Sequence, residues 1–251
     1  MFSKKNCKYR NSTITDADGF FSIQTDKIHL YIWQMKVLIV SATKFEIQPL
    51  LKNFKKIRSE KNLHSFQFNK IGIDILITGV GMTATAFHLG KTLGKKYDLA
   101  INAGVAGGFK KNILPGSVVN VVSDCFADLG VEDGNKFLTA KEIGLVASIR
   151  YQVSDTRTKK ILSDIPQVKG ITVNTVHGNP SSIKKIVQKF HPDIESMEGA
   201  AFFFSCIHEE IPCMQIRAIS NYVERRNKKN WKMDLSIKNL NLFLLQFLDR
   251  I

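Results

Sequence analysis

The sequence predicts an α/β fold: three layers, α/β/α, around a central mixed, mostly parallel sheet. Three observations point there. Short β-branched runs alternate with helix-patterned segments, the order that builds parallel sheets. The clearest run, Met35–Ala42, is apolar at successive positions and ends in small residues, as a strand covered on both faces requires. No internal repeat or Pro/Ser-rich linker divides the chain, and 251 residues fit one or two domains.

Residues 1–34 lack sustained periodicity and are read as an N-terminal extension: either a start placed ahead of a true initiator at Met35, or a disordered arm. Residues 35–251 are read as a single domain. After the first strand, Thr43-Lys44-Phe45-Glu46 fits a capping box, and Phe45, Leu50, Leu51 and Phe54 form a helical stripe. Phe66–Ile71 and Ile73–Thr78 flank Gly72 and read as paired strands. Gly79-Val80-Gly81 is a turn before a helix near Thr83–Leu93. Leu99–Asn102 is a short buried strand that runs into a glycine-rich loop, Ala103–Gly108. Ser117–Val122 is a further strand, and Asp124 to Gln167 is weakly patterned, a loop with a helix. Ile171–Val176 is a strand, Ser181–Lys189 a helix and Glu198–Glu209 an apolar helix rich in small residues. Cys213–Ile219 is a strand and Leu235–Leu248 a closing amphipathic helix.

Composition narrows the function classes. Hydrophobic residues at 44% and charged residues at 23% argue against a disordered or collagen-like chain. The best membrane-span candidate, Ile28–Ala42, is broken by His29, Gln34 and Lys36. No apolar stretch follows the basic N-terminus, so no signal peptide is expected. Cys7, Cys125, Cys206 and Cys213 form no CxxC pair and have no histidine at ligand spacing. They read as free thiols in a reducing cytoplasm, with neither metal nor cofactor expected. The net charge of +14 fits nucleic acid, an anionic membrane or an acidic small molecule. No nucleic-acid-binding module accompanies it. Two stretches concentrate it: residues 44–61, read as mostly the polar face of a helix, and residues 217–232.

Ligands of open α/β sheets bind beyond the carboxyl ends of the strands. The residues there are Glu46, Gly79–Met82, the Asn102–Gly108 segment, Met197-Glu198 and Arg217–Asn221. Glu46 has two readings, a helix-capping glutamate or a functional carboxylate. Arg217 ends a buried strand and needs a partner; Glu46 with a water would serve, and so would an ion pair elsewhere. Glu198 at a helix start is favoured by the helix dipole whatever else it does. Gly79 and Gly81 mark either a plain turn or a close approach of backbone to a ligand. Gly104, Gly107 and Gly108 suit a phosphate cradle. Asn221 is a turn residue or a hydrogen-bonding group.

Together, the first strand with Glu46, the GxG turn, the Asn102–Gly108 segment, the Met197-Glu198 pair and the strand ending Arg217-Ala218-Ile219-Ser220 resemble the nucleoside phosphorylase/nucleosidase superfamily, from Met35 onward. Thr175-Val176-His177-Gly178, Ser196–Ala201 and Ile219–Val223, with Arg226-Asn227 and Trp231, are most similar to futalosine hydrolases. Those enzymes resemble methylthioadenosine/S-adenosylhomocysteine nucleosidases and remove hypoxanthine from futalosine on a route to menaquinone. The resemblance implies a phosphorylase/hydrolase-like fold, no cofactor, and a homo-oligomer, dimer or larger. It also implies a small nucleoside substrate carrying a carboxylate, with neither nucleic acid nor membrane as partner.

It assigns Glu46, Arg217 and Asn221 to the chemistry, with Glu46 activating water. Gly79, Gly81, Val176, His177, Met197, Glu198 and Ser220 would bind substrate, Glu198 through the ribose hydroxyls. Cleaving an N-glycosidic bond builds positive charge on the sugar, which carboxylates stabilise. Phosphorylases of the superfamily carry an arginine after the first strand to hold phosphate. Ser41-Ala42-Thr43-Lys44 has none, and Glu46 repels an anion, so hydrolysis is expected. Methylthioadenosine nucleosidases place Asp where this chain has Asn221. An amide can donate to N7 or to a 6-oxo group, which suits hypoxanthine better than adenine. The alternatives are a methylthioadenosine/S-adenosylhomocysteine or aminofutalosine nucleosidase, and, from another class, a basic nucleic-acid-binding protein.

Overall fold

The computed structural model describes residues 35–94, 97–153 and 162–251. The extension at 1–34, with Cys7, lies outside the described residues. Strand β1 (Met35–Ser41) sits deep in the sheet: Val37 and Ile39 face one layer, Leu38 and Val40 the other, all fully buried. The two-residue side-chain period therefore loads both faces, as the unbroken apolar run requires. β1 pairs in parallel with β4 (Ile71–Ile77) and β5 (Leu99–Gly108), and β12 (Cys213–Tyr222) continues parallel beyond β5. Antiparallel strands β3 (Leu63–Phe68) and β2 (Lys55–Ser59) flank β4.

On the other flank β6 (Val118–Cys125) runs antiparallel to β12. β10 (Gln167–Thr172) joins β6 in parallel, and β11 (Ile194–Ser196) joins β10. β11 also pairs antiparallel with the end of β5, Ile194 opposite Gly108 and Glu195 opposite Gly107. That contact closes β5, β12, β6, β10 and β11 into a ring, so the sheet is open on one side and closed on the other. A hairpin of β7 (Gly130–Asp133) and β8 (Lys136–Thr139) stands apart, and β9 (Arg150–Gln152) pairs with β6.

The helices complete three layers. α1 (Lys44–Leu51) and α5 (Met233–Leu248) cover one face through Ile47, Leu50, Leu240 and Leu244. α2 (Met82–Thr92) and α4 (Gly199–His208) cover the other through Leu89, Phe202 and Phe203. α3 (Pro180–Phe190) packs Ile186 and Phe190 near Ile171 and Val173. Among the described residues, no helix is long and apolar enough to cross a membrane.

Several elements differ from the sequence expectation. Ala103–Gly108 is strand: its small residues let β5 run on between β12 and β11. Gly107 and Gly108 are paired on both sides, while Val105 keeps its N–H for Glu46. The turn between β3 and β4 lies at Asn69, in the left-handed region at φ 51°, and Gly72 is inside β4. Residues 124–167 contain strands and, among the described residues, no helix. The basic stretch after α1 forms the exposed edge strand β2 rather than a helix face. Lys55, Lys56 and Arg58 there place charge on an edge that would otherwise recruit another strand. Phe45 is exposed rather than part of the helical stripe. Cys125, Cys206 and Cys213 are buried free thiols, and burial pushes Cys125 up to about 12.

Candidate active site

Glu46 sits in the first turn of α1, 8% exposed, and the capping box with Thr43 is formed. Its Oε2 accepts from Thr43 N–H at 3.0 Å, Thr43 Oγ1 at 2.9 Å and Ser41 Oγ at 3.4 Å. Among the described residues, its Oε1 accepts only from Val105 N–H, at 3.0 Å. A carboxylate offers about four lone-pair sites, so Oε1 keeps one for a further donor. Glu46 therefore caps the helix through Oε2 and also lines a cavity.

The helix around it is held from outside. Pro49 lies within α1, and the side chain of Asn241 on α5 donates to Glu46 C=O at 2.8 Å and accepts from Leu50 N–H at 3.0 Å. Those are the two backbone groups an i→i−4 bond would join. Asn241 thus ties the backbone of Glu46 to the closing helix.

Arg217, 1% exposed, lies on β12 within a chain of buried polar groups. Its guanidinium donates to Gln215 Oε1 at 3.0 Å and to Asn102 Oδ1. Gln215 donates to Asp124 at 3.1 Å, and Asp124 also accepts from Thr172 at 2.9 Å. Arg217 faces Glu198 at 3.8 Å, its direct ion pair among the described residues. Gly104 has no room for a side chain: a Cβ there would collide with the Arg217 guanidinium and lie 2.9 Å from Glu46 Oε1.

Glu198, the residue before α4, also accepts from Gly81 N–H at 3.1 Å. Gly81, the residue before α2, has φ +97°, a conformation side-chain residues rarely adopt. Burial raises the Glu198 pKa and nearby Glu46 adds to it, against the pull of Arg217 and Gly81. Asn221 follows a bulge in β12. Its Oδ1 accepts from Ser220 Oγ at 2.7 Å and its Nδ2 donates to Tyr222 C=O at 2.9 Å, leaving one amide hydrogen.

These groups converge on a cavity of about 530 Å³. Glu46, Val176, His177, Met197, Glu198, Ser220 and Asn221 all line it. Gly79, Gly81 and Arg217 lie off the wall: Val80 lines it in place of the glycines, and Arg217 reaches the site through Glu198. Arg225, Arg226, Asn227 and Trp231 border it, with Arg226 stacked 5.3 Å from the Trp231 ring. Val176, His177 and Gly178 also border a second, wider cleft of about 900 Å³. Sequence reasoning missed Glu195, Asp124 and Gln215. For Asp124 and Gln215 the available signal was the one that singled out Arg217, a polar side chain inside an apolar strand, whereas Glu195 sits in the short strand Ile194–Ser196 and gave none.

Residues 36–249 match the model of the phosphorylase superfamily. A futalosine hydrolase of Streptomyces coelicolor is 26% identical over 215 residues, 79% of this chain and 89% of that protein. A 5′-methylthioadenosine/S-adenosylhomocysteine nucleosidase of Haemophilus influenzae is 26% identical over 236 residues, 86% of this chain and 100% of that protein. The native structure of a futalosine hydrolase of Helicobacter pylori has a TM-score of 0.73 at 18% identity, covering 86% of this chain and 98% of that one. This last likeness speaks for the fold.

Proposed function

The chain belongs to the phosphorylase superfamily, and from that premise we propose that it hydrolyses the N-glycosidic bond of futalosine, releasing hypoxanthine and dehypoxanthine futalosine in menaquinone biosynthesis. The observation that carries the reading is Glu46. A buried carboxylate with one unclaimed lone pair faces the cavity where a phosphorolytic enzyme needs a cation for its phosphate. It takes a proton from water as the water oxygen bonds to the sugar carbon and the electron pair of the broken bond leaves with the purine.

Glu198 accepts from the ribose hydroxyls, with Met197 against the sugar. Two carboxylates close enough to disfavour each other's charge gain when the ring becomes cationic between them. Arg217 acts through Glu198 by keeping it ionised and in place. Asn221 donates its spare amide hydrogen to the departing base, and Ser220 orients that amide. Arg225 and Arg226 at the rim suit the substrate's carboxylate.

The nucleosidase domain runs from 35 to 251. It works in the cytoplasm, without nucleic acid, as a homo-oligomer, and the exposed apolar side chains of Phe45 and Val80 at the cavity support the last of these. The second reading, a methylthioadenosine/S-adenosylhomocysteine nucleosidase, is favoured by relatives of that name. An amide rather than an acid at 221 sets it second. The test is incubation with futalosine, aminofutalosine, methylthioadenosine and inosine, with and without phosphate. Hypoxanthine released from futalosine fastest, independently of phosphate, is expected; adenine released fastest overturns the assignment.

A further inference from the structure

We infer that Glu195 is the positioning residue that sets purine specificity, by fixing His177 as a hydrogen-bond acceptor for the N1–H of a 6-oxopurine. The inference rests on the futalosine reading above. Glu195 is 4% exposed on β11, yet no Lys or Arg pairs with it among the described residues. Both its oxygens are taken by one residue: Oε1 accepts from His177 N–H at 3.0 Å, and Oε2 meets His177 Nδ1 at 2.7 Å. A carboxylate only accepts, so Nδ1 carries the proton. In the neutral ring Nε2 is then a bare acceptor. It makes no hydrogen bond among the described residues, on a side chain that lines the cavity.

The position suits the base. Gly107 on β5 stands opposite Glu195 on one side and Asn221 on the other. A Cβ on Gly107 would lie 2.9 Å from Val223 Cγ2, 3.5 Å from Glu195 Cγ and 3.7 Å from Asn221 Nδ2, so Glu195 and Asn221 come together over Gly107 with Val223 packed between strand and loop. Asn221 offers a donor and His177 an acceptor to the same cavity. Hypoxanthine presents O6 and N1–H, an acceptor and a donor, and fits that order. Adenine presents a bare N1, which opposes Nε2 lone pair to lone pair. The His177 backbone N–H is already held by Glu195, so it is not free to rescue adenine N1.

The experiment compares kcat/KM for futalosine and aminofutalosine in the wild type, Glu195→Gln and Glu195→Asp. Glutamine both donates and accepts, which releases the tautomer. Glu195→Gln is expected to shrink the preference for futalosine at least tenfold, mainly through KM, while Glu195→Asp keeps it. An equal fall on both substrates, or an unchanged ratio, overturns the inference. ¹⁵N NMR of histidine-labelled wild type, with His177 assigned by its loss in His177→Asn, needs no altered carboxylate and no turnover. A bare Nε2 near pH 7.5 is expected; a protonated Nε2 overturns the inference. A wild type inactive on futalosine would instead sink the proposed function and leave the tautomer result standing on its own.

Discussion

At the scale of single residues, Glu46 shows how one side chain serves fold and chemistry together. Its Oε2 closes the capping box, its Oε1 accepts from Val105, and the residue lines the cavity. Glutamine at the third helical position still closes such a box but cannot take a proton from water. Glu46→Gln is therefore expected to lower kcat by roughly 100- to 10,000-fold, the range of a lost general base, while Tm falls by only a few degrees. Steady-state assay and thermal unfolding of the same preparation check this, and retained activity removes Glu46 from the chemistry. The sequence exposed Glu46, Glu198 and Asn221 because each follows a strand. It did not expose Glu195, whose role depends on a partner 18 residues away.

At the scale of elements, α1 depends on α5. Asn241 supplies the donor and acceptor that join Glu46 C=O to Leu50 N–H across the turn containing Pro49. Asn241→Ala removes both partners inside the core, and unmet buried polar groups cost about 1–3 kcal/mol. That loss is expected in urea unfolding, with a parallel drop in kcat because the backbone of Glu46 loosens. An unchanged urea midpoint would mean the helix closes its own ladder. Helices and apolar strands were readable from periodicity. The end of β5 was not, since a run of Gly and Ala looks like a loop until β12 pairs along it and β11 joins at Gly107 and Gly108.

At the scale of the whole molecule, Asp124 links stability to pH. Burial raises its pKa to about 6, opposed by hydrogen bonds from Gln215 and Thr172 and by the charge of Arg217. A folded-state pKa above the unfolded value contributes stability that is complete below the unfolded value of 3.8 and is lost as pH rises through about 6. From that group alone the loss is on the order of 3 kcal/mol. Asp124→Asn lacks this slope, so its stability relative to the wild type is expected to rise between pH 4.5 and pH 7. Urea titrations at both values measure it, and a constant difference means Asp124 ionises normally. The +14 also divides at this scale. Part of it guards a sheet edge on β2, and Arg225 and Arg226 border the cavity.

The sequence by itself determined the α/β class, the strands that are buried on both faces, and the candidates at strand ends, because those follow from local periodicity and from the cost of polar groups in apolar runs. Only the tertiary structure decided how the candidates meet. The pairing of β11 with β5 closes part of the sheet and puts Glu195 and Asn221 on either side of Gly107. Arg217 makes its direct ion pair, among the described residues, with Glu198. Such partners are fixed by register between segments far apart in the chain, and no local pattern encodes that register.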